Sequence, residues 1–155
     1  MKRRILAVTG MDGPIADLAG KTDRRTLATW AADCAGRVLP FFEADYPEDT
    51  RPRRAIEACR KWVRTGVFRM ADVRSASLAA HAAARKAPMY SAARSAARAA
   101  GQALATAHVP AHAIAAAMYA ATAVRDATDP DADTDTSGER DWQYRHLIGL
   151  REQQD

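Results

Sequence analysis

The chain has 155 residues and a formal net charge of +4; 48% of it is hydrophobic, but only 6% is aromatic. That length fits one domain able to bury roughly two-thirds of its unfolded surface. A disulfide scaffold is excluded, because Cys34 and Cys59 are the only cysteines and show no CxxC spacing, so free thiols in a reducing compartment are expected. Lys2-Arg3-Arg4 and the following Ile5-Leu6-Ala7-Val8 imitate a signal peptide, but the apolar run is short and Asp12 and Asp17 follow closely. No segment reaches the ~18 apolar residues of a membrane span, and the protein reads as soluble and cytoplasmic. Ile5 to Val8 is read as a short extended segment. Thr9-Gly10-Met11-Asp12-Gly13 is read as a turn, since it has neither phosphate-loop spacing.

From Thr26 the pattern is helical: Leu27, Trp30, Ala31, Cys34, Val38 and Phe41 recur at three- and four-residue steps. Asp23 or Thr26 can cap this helix, and Pro40 is expected to kink or end it. A turn over 46–52 precedes a second helix, which Thr50 is expected to cap and Gly66 to close, with Ile56, Cys59 and Val63 inward. A third helix is expected over about 71–86, a fourth over about 89–107, and a fifth from beyond Pro110 to about 126. Short loops make neighbours antiparallel. The expected fold is therefore all-α, an antiparallel bundle of five to six helices in a single domain over 1–155.

Between Thr128 and Gly138 aspartates alternate with other residues, as in a calcium loop. The register is wrong: counting from Asp129, Thr134 stands where glycine is required and Arg140 where a bidentate glutamate is required. Residues 128–138 are read as a solvated acidic linker, with a last helix from Glu139 docking Trp142, Leu147 and Leu150 onto the bundle. Asp126 to Asp141 contains seven acids and one base, which leaves the rest of the chain strongly basic. No helix-turn-helix, stacking platform or zinc-finger spacing accompanies that charge, so nucleic acid is not the expected partner.

Met70 to Ala127 is so rich in alanine that its polar residues stand out. Alanine loses little entropy in a helix, and alanine and glycine faces let axes approach closely. Ala93, Ala97, Gly101 and Ala105 form one such ridge. Arg94 and Arg98 stand one turn apart, with no acid between Val73 and Arg125, and like charges at that spacing repel. They need carboxylates from another helix, with Asp33, Glu43 and Glu57 as candidates, or a bound anion.

His81, His108 and His112 invite a metal reading, but Pro110 separates the last two, so they are not a continuous i, i+4 pair. No metal and no cofactor is expected. Binding residues are sought among Arg94, Arg98, His81, His108, His112 and Tyr119. A catalytic reading would require Asp33, His81, Arg98 and His108 to face one cavity.

The string Trp30-Ala31-Ala32-Asp33-Cys34-Ala35-Gly36-Arg37-Val38-Leu39-Pro40-Phe41-Phe42-Glu43, then Tyr46-Pro47-Glu48-Asp49 and Arg51-Pro52-Arg53-Arg54, resembles the opening of the bacterial Imm-5-like immunity proteins. Later blocks are similar to that family too: Ala80-His81-Ala82, Ala96-Ala97-Arg98-Ala99-Ala100-Gly101-Gln102, Thr106-Ala107-His108 and Glu139-Arg140-Asp141-Trp142-Gln143. The resemblance covers about Leu27 to Leu150; residues 1–22 diverge from it. It implies a helical cytoplasmic protein that neutralises a toxin by direct binding, and it supplies no catalytic residues. A toxin or a small anionic ligand is thus the expected partner, with self-association left open. The alternative is a small helical enzyme or ligand-binding accessory protein with a His/Asp/Arg pocket.

Overall fold

In a computed structural model, residues 4–127 and 133–154 are described, and they form helices and no strand. The helices are α1 (Asp12–Ala19), α2 (Arg24–Asp45), α3 (Arg51–Thr65), α4 (Met70–Lys86), α5 (Ala92–Ala105), α6 (His112–Ala127) and α7 (Asp133–Glu152). The all-α class is as expected, but seven helices exceed the expected five to six. The extra one is α1, whose first two residues fall in the stretch 9–13 expected as a turn. Ile15 and Ala19 at its four-residue step are buried, which anchors it, and the Asp12 carboxylate in its first turn accepts from the Thr9 backbone N–H at 3.2 Å.

The expected extended segment before α1 pairs with no sheet. It is held to α6 by side chains: the Ala7 N–H donates to Thr122 Oγ1 at 2.9 Å, and Arg125 Nη2 donates to the Ile5 carbonyl at 2.9 Å. Helix α2 starts where Asp23 accepts from the Thr26 N–H at 3.0 Å. Pro40, expected to kink or end it, does not end it. The flanking Leu39 and Phe42 are buried, and their packing offsets the one backbone bond that proline forfeits. At α3 the Thr50 side chain caps nothing; Asp49 Oδ1 instead accepts from the Arg51 N–H at 3.2 Å. Gly66 closes α3 at φ 71°, a conformation that favours glycine.

Helix α5 is the hub, packed on α2, α3, α4 and α6. Ala93, Ala96, Ala97, Ala99, Ala100, Ala103 and Leu104 are all buried on it. Its small side chains bring neighbours close at Gly101. The Ser77 hydroxyl of α4 donates to the Gly101 carbonyl at 2.9 Å, and a Cβ added at Gly101 would stand 2.8 Å from His81 Nε2. Bulk comes from Trp30, Phe42, Ile15 and Leu104, all fully enclosed. Cys34 and Cys59 are free and buried, and burial pushes the Cys59 thiol up to about 12, so it is no nucleophile at neutral pH.

The C-terminal helix begins at Asp133, so it takes in 133–138, which were expected as linker; 128–132 lie outside the described residues. It packs on α1, α2 and α6. Among the described residues no helix is long and apolar enough to cross a membrane.

Candidate functional site

Three of the expected binding residues meet. Arg94 and Arg98 from α5 and Tyr119 from α6 line a cavity of about 210 Å³ together with Ile5, Met89 and Tyr90. Met89 and Tyr90 belong to the α4–α5 connection, where Tyr90 takes the left-handed φ of 65°, uncommon for a non-glycine residue. Arg94 is held in place by donating from Nη1 to the Ala87 carbonyl at 3.3 Å. Arg98 has no hydrogen bond or ion pair among the described residues. Burial, followed by the adjacent Arg94 charge, holds its guanidinium below the ordinary arginine range, which is the condition in which an arriving anion gains most.

The carboxylates expected to pair with Arg98 are elsewhere. Asp33 Oδ1 accepts from Arg60 at 2.7 Å and Asp33 Oδ2 lies 2.7 Å from His146 Nε2. Glu43 takes Arg53 in a two-point contact at 2.6 and 2.7 Å, and Glu57 is exposed. Interhelical salt bridging of Arg98 is therefore corrected. Asp126 also borders the cavity, but its side chain is fully buried against Arg125, 3.0 Å away.

His81 stands on α4 over Gly101, its Nδ1 buried without a hydrogen-bond partner. Burial first, then the charges of Arg98, Arg85 and His112, push its pKa down to about 4, so it is neutral near pH 7. His112 Nδ1 lies 2.7 Å from Gln102 Oε1; burial and then His108 lower its pKa. His108 is exposed just beyond α5. The alternative catalytic set does not converge: His81 and Arg98 are electrostatic neighbours, while Asp33 is engaged with α3 and α7. No group of three His, Cys, Asp or Glu among the described residues could hold a metal ion.

A second polar region lies between α7 and the helices it packs on. Arg140, 1% exposed, donates to Asp12 Oδ1 at 2.8 Å and to Gln143 Oε1 at 2.9 Å. Gln143 donates to the Ala117 carbonyl at 2.9 Å, and its own carbonyl accepts from the Trp30 indole at 2.8 Å. Glu139 takes Arg37 in a two-point contact at 2.9 Å, and Arg37 lies over the Trp142 ring at 3.8 Å. Trp142 stacks on His146 at 4.7 Å, and His146 closes the row on Asp33. The signal for it was the recurrence of Glu139, Gln143 and His146 at helical steps on the docking face of α7. In a wider hollow of about 640 Å³ lined by Tyr46, Glu48, Asp49, Arg51 and Lys86, Asp49 is paired with both Arg51 and Lys86.

Fold and site together define an all-helical protein with a basic, apolar-rimmed cavity. The chain belongs to the Imm-5-like immunity family: the family model described as "Imm-5 like putative immunity protein" matches residues 17–150, nearly its whole length. No curated protein and no solved structure matches it.

Proposed function

We propose that the protein is an immunity protein that neutralises a toxin in the cytoplasm by binding it directly. Membership of the immunity family carries this reading. The site supports it, because Asp33, His81, Arg98 and His108 do not share one cavity as an enzyme would require, while the Arg94–Arg98–Tyr119 cavity presents arginine and tyrosine, the residue types enriched at binding hot spots. The direct test expresses the open reading frame neighbouring the gene, with and without this chain, and a neighbour that is not toxic on its own counts against the reading. Restored growth together with a stable complex on co-purification is the expected result. Growth that stays arrested, or protection without any complex, overturns direct neutralisation.

A further inference from the structure

Seven large hydrophobic side chains are exposed among the described residues, and three of them gather at one cavity: Ile5 at 59%, Met89 at 56% and Tyr90 at 38%. Between them lie Arg94 and Arg98, one helical turn apart, with the Tyr119 ring opposite on α6. The acid in the lining, Asp126, has a fully buried side chain paired with Arg125 at 3.0 Å, and neither Arg94 nor Arg98 forms an ion pair among the described residues. Two features decide what fits. The volume of about 210 Å³ lies below the ~300 Å³ at which cofactor and nucleotide sites begin, so the occupant is one side chain in size. The charge is that of a carboxylate receptor, since a guanidinium bonds a carboxylate in a planar, two-point geometry.

Resting on the immunity reading above, we infer that this cavity receives an acidic side chain of the partner protein, with the apolar residues flanking that acid seated on Ile5, Met89 and Tyr90. The apolar rim excludes water from the ion pair, which is how a central charge in an interface becomes a strong contact instead of a screened surface one. Arg98 is poised for it, because it has no internal partner to leave when the acid arrives.

The probe is a pair of peptides, acetyl-Leu-Glu-Phe-amide and its glutamine counterpart, titrated into the full chain and followed by the arginine Nε resonances. The glutamate peptide is expected to bind at least about tenfold more tightly, as a charge-assisted bond should, with Arg94 and Arg98 shifting. Arg98→Gln is expected to abolish that preference while keeping the native spectrum. Equal binding of the two peptides, or a preference that survives Arg98→Gln, overturns the inference. Arg94→Gln is the second variant should Arg98→Gln fail to fold; the same loss supports the site and an intact preference overturns it. Inorganic phosphate producing the same shifts at the same concentration would make this a free-anion site and overturn the docking role. A chain that protects against the toxin but shows no glutamate preference sinks the docking site alone; one that selects glutamate without protecting sinks the immunity reading alone.

Discussion

On the α2–α7 side of the bundle, Arg37, Arg60 and Arg140 each meet a carboxylate at 2.7–2.9 Å, whereas Arg94 and Arg98 on the alanine-rich side meet none among the described residues. The first set is explained by folding. Arg37 and Arg140 fasten a mostly polar helix, α7, onto α2 and α1, Arg60 ties α3 to α2, and Arg140 acts from full burial, where leaving its acid unpaired is expensive. The second set has no such explanation. Two like charges one turn apart cost the free protein something, and they stand beside the exposed side chains of Ile5, Met89 and Tyr90. The contrast separates arginines that hold the scaffold from the two that the proposal above assigns to a partner.

The sharpest way to break that contrast is to treat both regions alike. Arg140→Met strands Asp12 and leaves Gln143 Oε1 without its donor; because Asp12 retains some access to water, a loss of about 2–4 kcal/mol is expected in chemical denaturation. Arg98→Met, with no pair to lose, should cost under ~0.5 kcal/mol. Equal losses would erase the distinction.

A smaller effect is expected at the α4–α5 crossing. Gly101→Leu should lose about 1–3 kcal/mol by overpacking against His81. Gly101→Ala tests the cause. In the native background its Cβ collides with the imidazole, but in a His81→Ala background the clash is gone and alanine should gain up to about 1 kcal/mol from helix propensity. Additive single and double variants would show that His81 is not what Gly101 accommodates.

A last effect depends on pH. His81 stays neutral in the folded chain down to about pH 4, while in the unfolded chain it takes its proton near 6.5. Between those values the unfolded state binds more protons, so stability falls as pH falls through that window. Asp49, held near 2 chiefly by its hydrogen bond from Arg51, and Glu43, lowered mainly by Arg53, also lose stability on acidification. The measurement is therefore a difference: between pH 6.5 and 4 the denaturation midpoint of His81→Gln should fall less than that of the native chain. Parallel curves would mean that His81 titrates normally.

Much of the bundle was legible from local signals. The prolines at 88 and 110, Gly66 and the apolar period from Leu27 marked the boundaries of α2 to α6, because those signals act within one turn of chain. The misses had non-local causes. Helix α1 is short and stabilised by burying Ile15 in the bundle, and Pro40 is tolerated because Leu39 and Phe42 are buried on both sides of it. For the candidate site, the scarcity of acids around Arg94 and Arg98 was plain in the sequence. Which carboxylates lay within reach was not, since that depends on how Asp33 and Glu43 are already engaged by α3 and α7. Trp142, noticed only as bulk, turned out to be clasped between Arg37 and His146.

The bond from Arg140 to Asp12 spans 128 positions of sequence, and this separation sets an order of assembly. Closing so long a loop carries a large entropic cost and rewards the chain only once both ends are in place, while α4, α5 and α6 can pair through nearby contacts. During synthesis the central helices can thus collapse well before α7 leaves the ribosome, and until then the Asp12 carboxylate has only its local donors at Thr9. A chain halted before Arg140 would carry the alanine core and the Arg94–Arg98 cavity without the latch that joins its two ends.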